Sequence, residues 1–451
     1  MKLSFAEKVG YGLGDTASNF VWGTMMSFLM YYYTDIFGIT AAAVGTLFLF
    51  ARAGDGAVDF IMGAIADRTR TRWGKFRPYL LWMCLPLAFS FFITFTTPPF
   101  TMNGKIIYAW VTYNLLMIFY TAINIPYSAL SGVMTDDPLD RTSLNSYRMA
   151  LAQIGALIVN ASTLPLIAYF GHGNAAHGYQ ITVALFCVAA VALFLVTFLT
   201  TRERISPPPS QKTKIKDDLM TLFGNRHWVV MFVTGITNLT FVIARCSAGM
   251  YYFKYCMKMS DSQISSYLVF GSLSFIVGAC LTRWVVKALG KKNAFIVTMA
   301  GAGLTAIPLF WIAPGQLPLL YLCQFLGSVV GGMNATLYWA MIADTADFSE
   351  WKFHTRTTGI VFSATTCSQK VGMGIGGAFA GMLLSHFGYV ANVAQTSSAL
   401  YGILLLSSLI PAAGSLFLAA FFSFYGLTED FCSKMRAELN QRREQRQAIT
   451  S

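Results

Sequence analysis

The chain has 451 residues, of which 55% are hydrophobic, 15% aromatic and only 12% charged. Soluble domains carry about 25% charged residues, so this composition excludes an ordinary soluble enzyme and indicates a multi-spanning membrane protein. The formal charge of +12 would suit a nucleic-acid binder. Lys and Arg instead crowd into alternate connectors, as the positive-inside rule expects, so no nucleic-acid partner is inferred.

The N-terminal stretch MKLSFAEKVGYGLGD lacks the short apolar core and small-residue cleavage site of a leader, so the first span is expected to be retained. Apolar runs follow near 9–36, 41–66, 78–98, 105–134, 146–170 and 179–201, then near 228–256, 262–287, 293–313, 317–345, 357–386 and 399–425. A bilayer core needs ~20 helical residues, so the pattern predicts an all-α integral membrane protein with twelve transmembrane helices. The weakly charged connectors DIFGIT, IAPGQLP and SHFGYVANVAQ alternate with the basic ones DRTRTRWGKFR and LGKKN, which places both termini in the cytoplasm. Residues 202–227 form the longest polar break, stiffened by Pro207, Pro208 and Pro209 and held cytoplasmic by Lys212, Lys214 and Lys216. This divides the chain into a six-helix bundle over 1–201, a cytoplasmic linker over 202–227, a second six-helix bundle over 228–425 and a basic cytoplasmic tail over 426–451. Two six-span halves joined by a linker are the outline of a transporter with a midplane site. The eight cysteines are scattered without CxxC or metal spacing and read as small membrane hydrophobes.

Span two carries the densest chemistry. Arg52, Asp55 and Asp59, in LFLFARAGDGAVDFIMG, share one helical face by their spacing of three and seven. A carboxylate inside a bilayer costs several kcal/mol and by default marks an ion or proton path with a nearby partner. Two carboxylates can hold a monovalent cation between them or share a proton. The structural alternative is an Arg–Asp pair that neutralises itself, although the second aspartate exceeds what one Arg balances. Span two then runs into Gly63-x-x-x-Asp67-Arg68-x-Arg70-x-Arg72, whose acid and bases can bridge neighbouring helix ends.

That loop resembles the signature loop of the major facilitator superfamily. Its extension Trp73-Gly74-Lys75-Phe76-Arg77-Pro78 narrows the field. So do Tyr11-Gly12-x-Gly14-Asp15, Asn124-Ile125-Pro126-Tyr127, and Trp339-Ala340 followed by Ala343-Asp344-Thr345-Ala346-Asp347. Together these motifs, in order from span one to span ten, resemble the glycoside–pentoside–hexuronide:cation symporters, the group that includes the melibiose permeases. The resemblance covers the chain from span one to span twelve with similar loop lengths.

The resemblance implies a cation site at Asp55, Asp59 and Thr121, with Lys370 of span eleven close to the cation and sugar sites. Sodium-using members can have an amide just before the second aspartate, where this chain has Val58. Sodium needs several oxygen ligands and a proton only one carboxylate, so the expected coupling ion is H+, with Na+ possible, and no cofactor or metal is implied. Sugar-contacting positions on spans one, four and five correspond to Asn19, Asn124 and Arg148. Amides stand where melibiose-type members place acids, and Asp15, one turn before Asn19, is positioned to supply a carboxylate. Ser128 occupies a place where an aromatic platform can occur, so stacking is expected from Tyr120, Tyr127 or Trp339; each taken singly also reads as core filler or a lipid-facing ring. Asp67, Arg70, Arg72, Asp344 and Asp347 are expected to form a cytoplasmic gate. Arg245 and Lys254 fall on no motif: Arg245 can pair with an anionic sugar, pair with an acid, or snorkel to an interface. Gly372-x-Gly374-x-x-Gly377 formally matches a dinucleotide fingerprint, but it lies in an apolar helix with no preceding strand and reads, with Gly376 and Gly381, as a helix-packing stripe.

The expected function is import of a pentoside, hexoside or hexuronide by cation symport through alternating access. The expected partners are a small-molecule glycoside, the coupling cation and membrane lipid. The chain is expected as a monomer in a plasma membrane, bacterial and inner. An uncoupled facilitator or lipid carrier of the same fold is the alternative. A membrane-embedded glycosyl-transferring enzyme would need an exposed catalytic acid, a metal motif or a sizeable extramembrane domain, none of which the sequence contains.

Overall fold

The structure is a computed structural model describing residues 3–135, 137–204, 222–353 and 358–450. Most of the 202–227 connector, with its prolines and lysines, lies outside the described residues, as does the side chain of Asp67. The ordered elements among the described residues are helices, apart from an isolated bridge between Thr71 and Gly74.

Helix α1 (Phe5–Thr24) starts with a capping box in which the Ser4 hydroxyl accepts from the Glu7 amide and Glu7 answers the Ser4 amide. It continues through two π-helical turns, Met25–Leu29 and Tyr32–Ile36. Then come α2 (Ala41–Arg68), α3 (Arg77–Thr94), α4 (Met102–Met134), α5 (Pro138–Gly171) and α6 (Ala175–Thr200). Thr40, Thr101 and Asn174 cap α2, α4 and α6 through their side-chain oxygens, which satisfies amides a bilayer cannot solvate. The second half comprises α7 (Arg226–Tyr251), α8 (Asp261–Ala306), α9 (Leu317–Phe353), α10 (Thr358–His386), α11 (Ser397–Ser407), α12 (Leu409–Phe421) and α13 (Glu429–Thr450).

Eight described helical segments are long and apolar enough to cross a membrane. One of them, Asp261–Phe310, contains the runs expected as spans eight and nine; Gly290 breaks it with φ 73°, so the chain turns inside a nominally continuous helix. The runs expected as spans one, two and eleven are helical but fall outside these eight, although the first turn-rich part of span two, Ala41–Arg52, is a shorter apolar helix. These three runs carry Asp15, the Arg52–Asp55–Asp59 face and Lys370.

Two compact units are distinguished. The first comprises Met1–Pro209, Cys246–Ser272 and Gly377–Ile403. Within it α1 packs along α5 and α6, α3 lies against α4 and α6, and α2 lies against α4. An aromatic cluster centred on buried Tyr32, 4.8 Å from the Phe95 ring and 5.2 Å from the Tyr179 ring, fills one end of this unit. The second unit comprises Ser210–Arg245, Leu273–Gly376 and Leu404–Ser451. Its core gathers Trp228, Met231, Phe295, Leu337, Met341 and Phe422. Gly372 and Gly376 let α10 approach α7 so closely that a methyl group would strike the carbonyl oxygens of Ile236 and Thr240. The glycine stripe is therefore a packing device.

Candidate functional site

The first unit holds two polar centres on adjacent helices. On α2, Arg52 and Asp55 are each 4% exposed, and Arg52 Nη1 donates to Asp55 Oδ2 at 3.1 Å. One turn further, Asp59 accepts from Thr121 Oγ1 of α4 at 3.2 Å. The helical spacing read from sequence thus delivers three groups to one face, and Thr121 comes to that face from α4. Two carboxylates and a hydroxyl offer oxygens for a small cation or a proton. Half-buried Val58 adds none.

The second centre lies on α1, α4 and α5. Arg148 Nε donates to Asp15 Oδ2 at 2.7 Å, so these two predicted sugar contacts hold each other. The Asn19 amide donates to the Asp15 carbonyl at 2.9 Å. Ser18 Oγ donates to Asn124 Oδ1 at 2.9 Å, while Asn124 Nδ2 donates to the Tyr120 carbonyl at 3.0 Å. Tyr127 stacks on Tyr11 at 4.7 Å and lies 5.3 Å beneath the Arg148 guanidinium. Its hydroxyl donates to the Tyr11 carbonyl at 2.6 Å, which makes it a fixed wall. Tyr120 stacks instead on Trp22, with centroids 5.2 Å apart.

The other predicted positions belong to the second unit or to exposed loops. Lys370 is half-buried on α10, and Trp339 is 41% exposed on α9, stacked 6.1 Å from Phe362. Asp344 is buried and accepts from Lys291 Nζ at 2.7 Å, an ion pair inside the second unit, and Asp347 is half-buried one turn on. Arg70 and Arg72 are exposed, with Arg72 4.4 Å over the Trp73 ring. Lys254, which fell on no motif, pairs with Asp261 at 3.2 Å.

Three groups escaped sequence reasoning. Trp22 looked like one more apolar residue. Asp35 closes span one in a buried cluster where its carboxylate accepts from Tyr255 at 2.5 Å, from Tyr389 at 2.7 Å and from Thr34 at 2.7 Å. Tyr255 and Tyr389 lie 220 and 354 residues away in the chain. The third is Glu203, whose carboxylate accepts the backbone amides of Lys75, Phe76 and Arg77 at 2.8, 2.7 and 2.9 Å. It occupies the space a side chain would need at Gly74, where φ is 110°. The Trp73–Pro78 loop motif therefore takes its shape from the end of α6. A signal for Glu203 existed in the acid among the basic residues of Thr201-Arg202-Glu203-Arg204, but nothing in the spacing named its partner.

A sequence profile for MFS/sugar transport proteins matches residues 10–429. Over 452 aligned residues, spanning 100% of this chain and 98% of the relative, the chain is 36% identical to "Inner membrane symporter YicJ" of Escherichia coli (strain K12). It is 35% identical to "Putative glycoside/cation symporter YagG" of the same organism, over 95% of this chain and 93% of the relative. In fold it is similar to the crystal structure of the nucleoside transporter NupG, with a TM-score of 0.66 over 94% of this chain and 100% of that one, at 13% identity. The motifs, the α-helical membrane architecture and these likenesses agree: the chain belongs to the glycoside–pentoside–hexuronide:cation symporter family of the major facilitator superfamily, and is a transporter and not an enzyme.

Proposed function

We propose that the protein imports a glycoside (a pentoside, hexoside or hexuronide) by cation symport, with the proton favoured over sodium, through alternating access. The observation that carries this reading is the α2 face: two carboxylates share it with one guanidinium, which pairs with Asp55, and Thr121 adds a hydroxyl at Asp59. A transported cation neutralises the excess carboxylate charge, which an uncoupled facilitator or lipid carrier has no use for. The aliphatic Val58 beside Asp59 supports the proton, because a sodium cage there is short of an oxygen ligand. Asp15, Asn19, Tyr120, Asn124 and Arg148 supply the sugar contacts, since an ion pair and amides satisfy sugar hydroxyls as donors and acceptors. Trp339 and Lys370 complete the proposed sugar and cation sets. Asp67, Arg70, Arg72, Asp344 and Asp347 act as the cytoplasmic gate, with bridges at helix ends weak enough to break in each cycle. The Asp35 cluster closes the other end of span one. Six-span halves over 1–201 and 228–425, cytoplasmic termini and a monomer in lipid complete the reading.

Uptake of methyl and nitrophenyl glycosides into vesicles tests it. Uptake follows an imposed pH gradient more than a sodium gradient, and Asp59→Asn abolishes uphill accumulation while leaving some exchange. Arg148→Ala weakens binding about ten- to a hundredfold, the loss of a charged hydrogen bond worth ~1.5–3 kcal/mol. Undiminished gradient-driven uptake in Asp59→Asn would sink the coupling assignment of this carboxylate, and wild-type uptake indifferent to both gradients would establish the uncoupled facilitator.

A further inference from the structure

The two polar centres of the first unit are joined by one side chain. The Arg52 guanidinium, held by Asp55, lies 4.6 Å over the Trp22 ring, and the same indole stacks on Tyr120 at 5.2 Å with an interplanar angle of 25°. Tyr120 is the chain neighbour of Thr121, which donates to Asp59, and its carbonyl accepts from Asn124. The contacts form a path from Asp55 through Arg52, Trp22, Tyr120 and Thr121 to Asp59, whose two ends lie one turn apart on α2. Both cation-site carboxylates are on it, and Asn124 of the sugar centre hangs from it.

We propose that Trp22 is the positioning residue through which occupancy of the cation centre sets the geometry of the sugar centre. The inference rests on the reading of Asp55 and Asp59 as the cation centre. A cation arriving between the carboxylates weakens the hold of Asp55 on Arg52. The guanidinium is then left with residual carboxylate charge, the Tyr113 hydroxyl and the face of the indole, and its position shifts towards the ring. Because the indole is packed against Tyr120, that shift is passed to α4 at the point where Tyr120 and Asn124 face the sugar. The coupling is reciprocal: sugar that fixes Tyr120 and Asn124 also fixes Trp22, and with it the Arg52 position that favours a bound cation. An aromatic pair that merely filled space would lower stability and transport together and leave the linkage intact. The charged and titratable groups meeting this path include Arg52, Asp55, Asp59, Tyr113 and Tyr120, with the Asp15–Arg148 pair nearby.

The test reads a ratio: the affinity of the tightest-binding nitrophenyl glycoside at saturating coupling cation, divided by its affinity without that cation. Coupling between linked sites is typically ~5–150-fold. In Trp22→Leu the ratio falls to below about twofold, and Trp22→Phe, which keeps a ring for Arg52 and Tyr120, restores most of it. Should Trp22→Leu fail to insert, Trp22→Met carries the same expectation. A full ratio in either variant overturns the role of Trp22. Asp59→Asn in the same assay separates the two ideas. If Asp59→Asn abolishes the ratio while Trp22→Leu preserves it, only the Trp22 inference is lost. If Asp59→Asn also preserves it, the cation-centre reading has failed and the inference with it.

Discussion

Asp35 and Asp55 are both buried carboxylates of the first unit, at 5% and 4% exposure, and they are stabilised by opposite means. Asp55 is met by a full positive charge, and Arg52 makes one hydrogen bond to it in the described geometry. Asp35 is met by hydroxyls, from Thr34, Tyr255 and Tyr389, while Asn392 donates to its backbone carbonyl. A full charge attracts over distance as well as through its hydrogen bond and tolerates an incoming ion. Fixed hydroxyl donors demand one geometry and release it only when whole segments part. The first arrangement suits a site that binds and lets go; the second suits a latch.

The largest expected effect breaks the first arrangement. Asp55→Asn leaves Arg52 buried without its carboxylate, a loss of about 3–5 kcal/mol. Adding Arg52→Gln should recover most of that stability without recovering uphill transport. Thermal unfolding in detergent, run beside gradient-driven uptake, separates the two readouts. A double variant no more stable than Asp55→Asn would show that Arg52 was not the compensating group.

The second arrangement should yield more gently. Asp35→Asn keeps the shape but gives up charge-assisted hydrogen bonds worth ~1.5–3 kcal/mol each, partly replaced by the amide. Tyr389→Phe removes one donor. Both variants should expose the buried end of α2, so a cysteine at Ala41, with Cys246, Cys256, Cys280 and Cys367 changed to Ser, should react faster with a polar maleimide. Equal rates in wild type and Asp35→Asn would mean that the cluster is packing and not a latch.

A third carboxylate, near the chain start, sharpens the comparison at the smallest scale. Burial opposes ionisation of Glu7, but the Ser4 amide, the Arg204 guanidinium and the Ser4 hydroxyl outweigh it and hold the carboxyl below its usual value of 4.5. With the folded value depressed, its contribution is present above the unfolded value and is lost as pH falls through the folded one. Stability should therefore drop below about pH 4.5, and Glu7→Gln should flatten that drop by less than ~1 kcal/mol, since Arg204 is partly exposed. A Glu7→Gln profile that parallels wild type would assign the acid sensitivity elsewhere.

Much of this site was legible without coordinates because helical periodicity is local. Arg52, Asp55 and Asp59 sit on one face by spacing alone, and the ordered motifs from Tyr11 to Asp347 identify the family. What was not legible shares a physical cause. Trp22 gains its meaning from Arg52 and Tyr120, Asp35 from Tyr255 and Tyr389, and Glu203 from three backbone amides. Each depends on partners whose sequence separation carries no periodic signal, and one set of partners consists of peptide groups that every residue has. The pairing of Asp15 with Arg148 was likewise hidden, although both residues were singled out, because a motif names the positions and not their mutual contact.

The Glu203 clasp has a consequence in time. The loop from Trp73 to Arg77 takes its final form around a carboxylate 126 to 128 residues further along the chain. At about 5–20 residues per second, roughly ten seconds of synthesis separate the two. Throughout that interval the amides of Lys75, Phe76 and Arg77 are served by water. The loop is completed only when α6 has been threaded and Glu203 arrives, so its correct shape reports that the first six helices have been inserted in order.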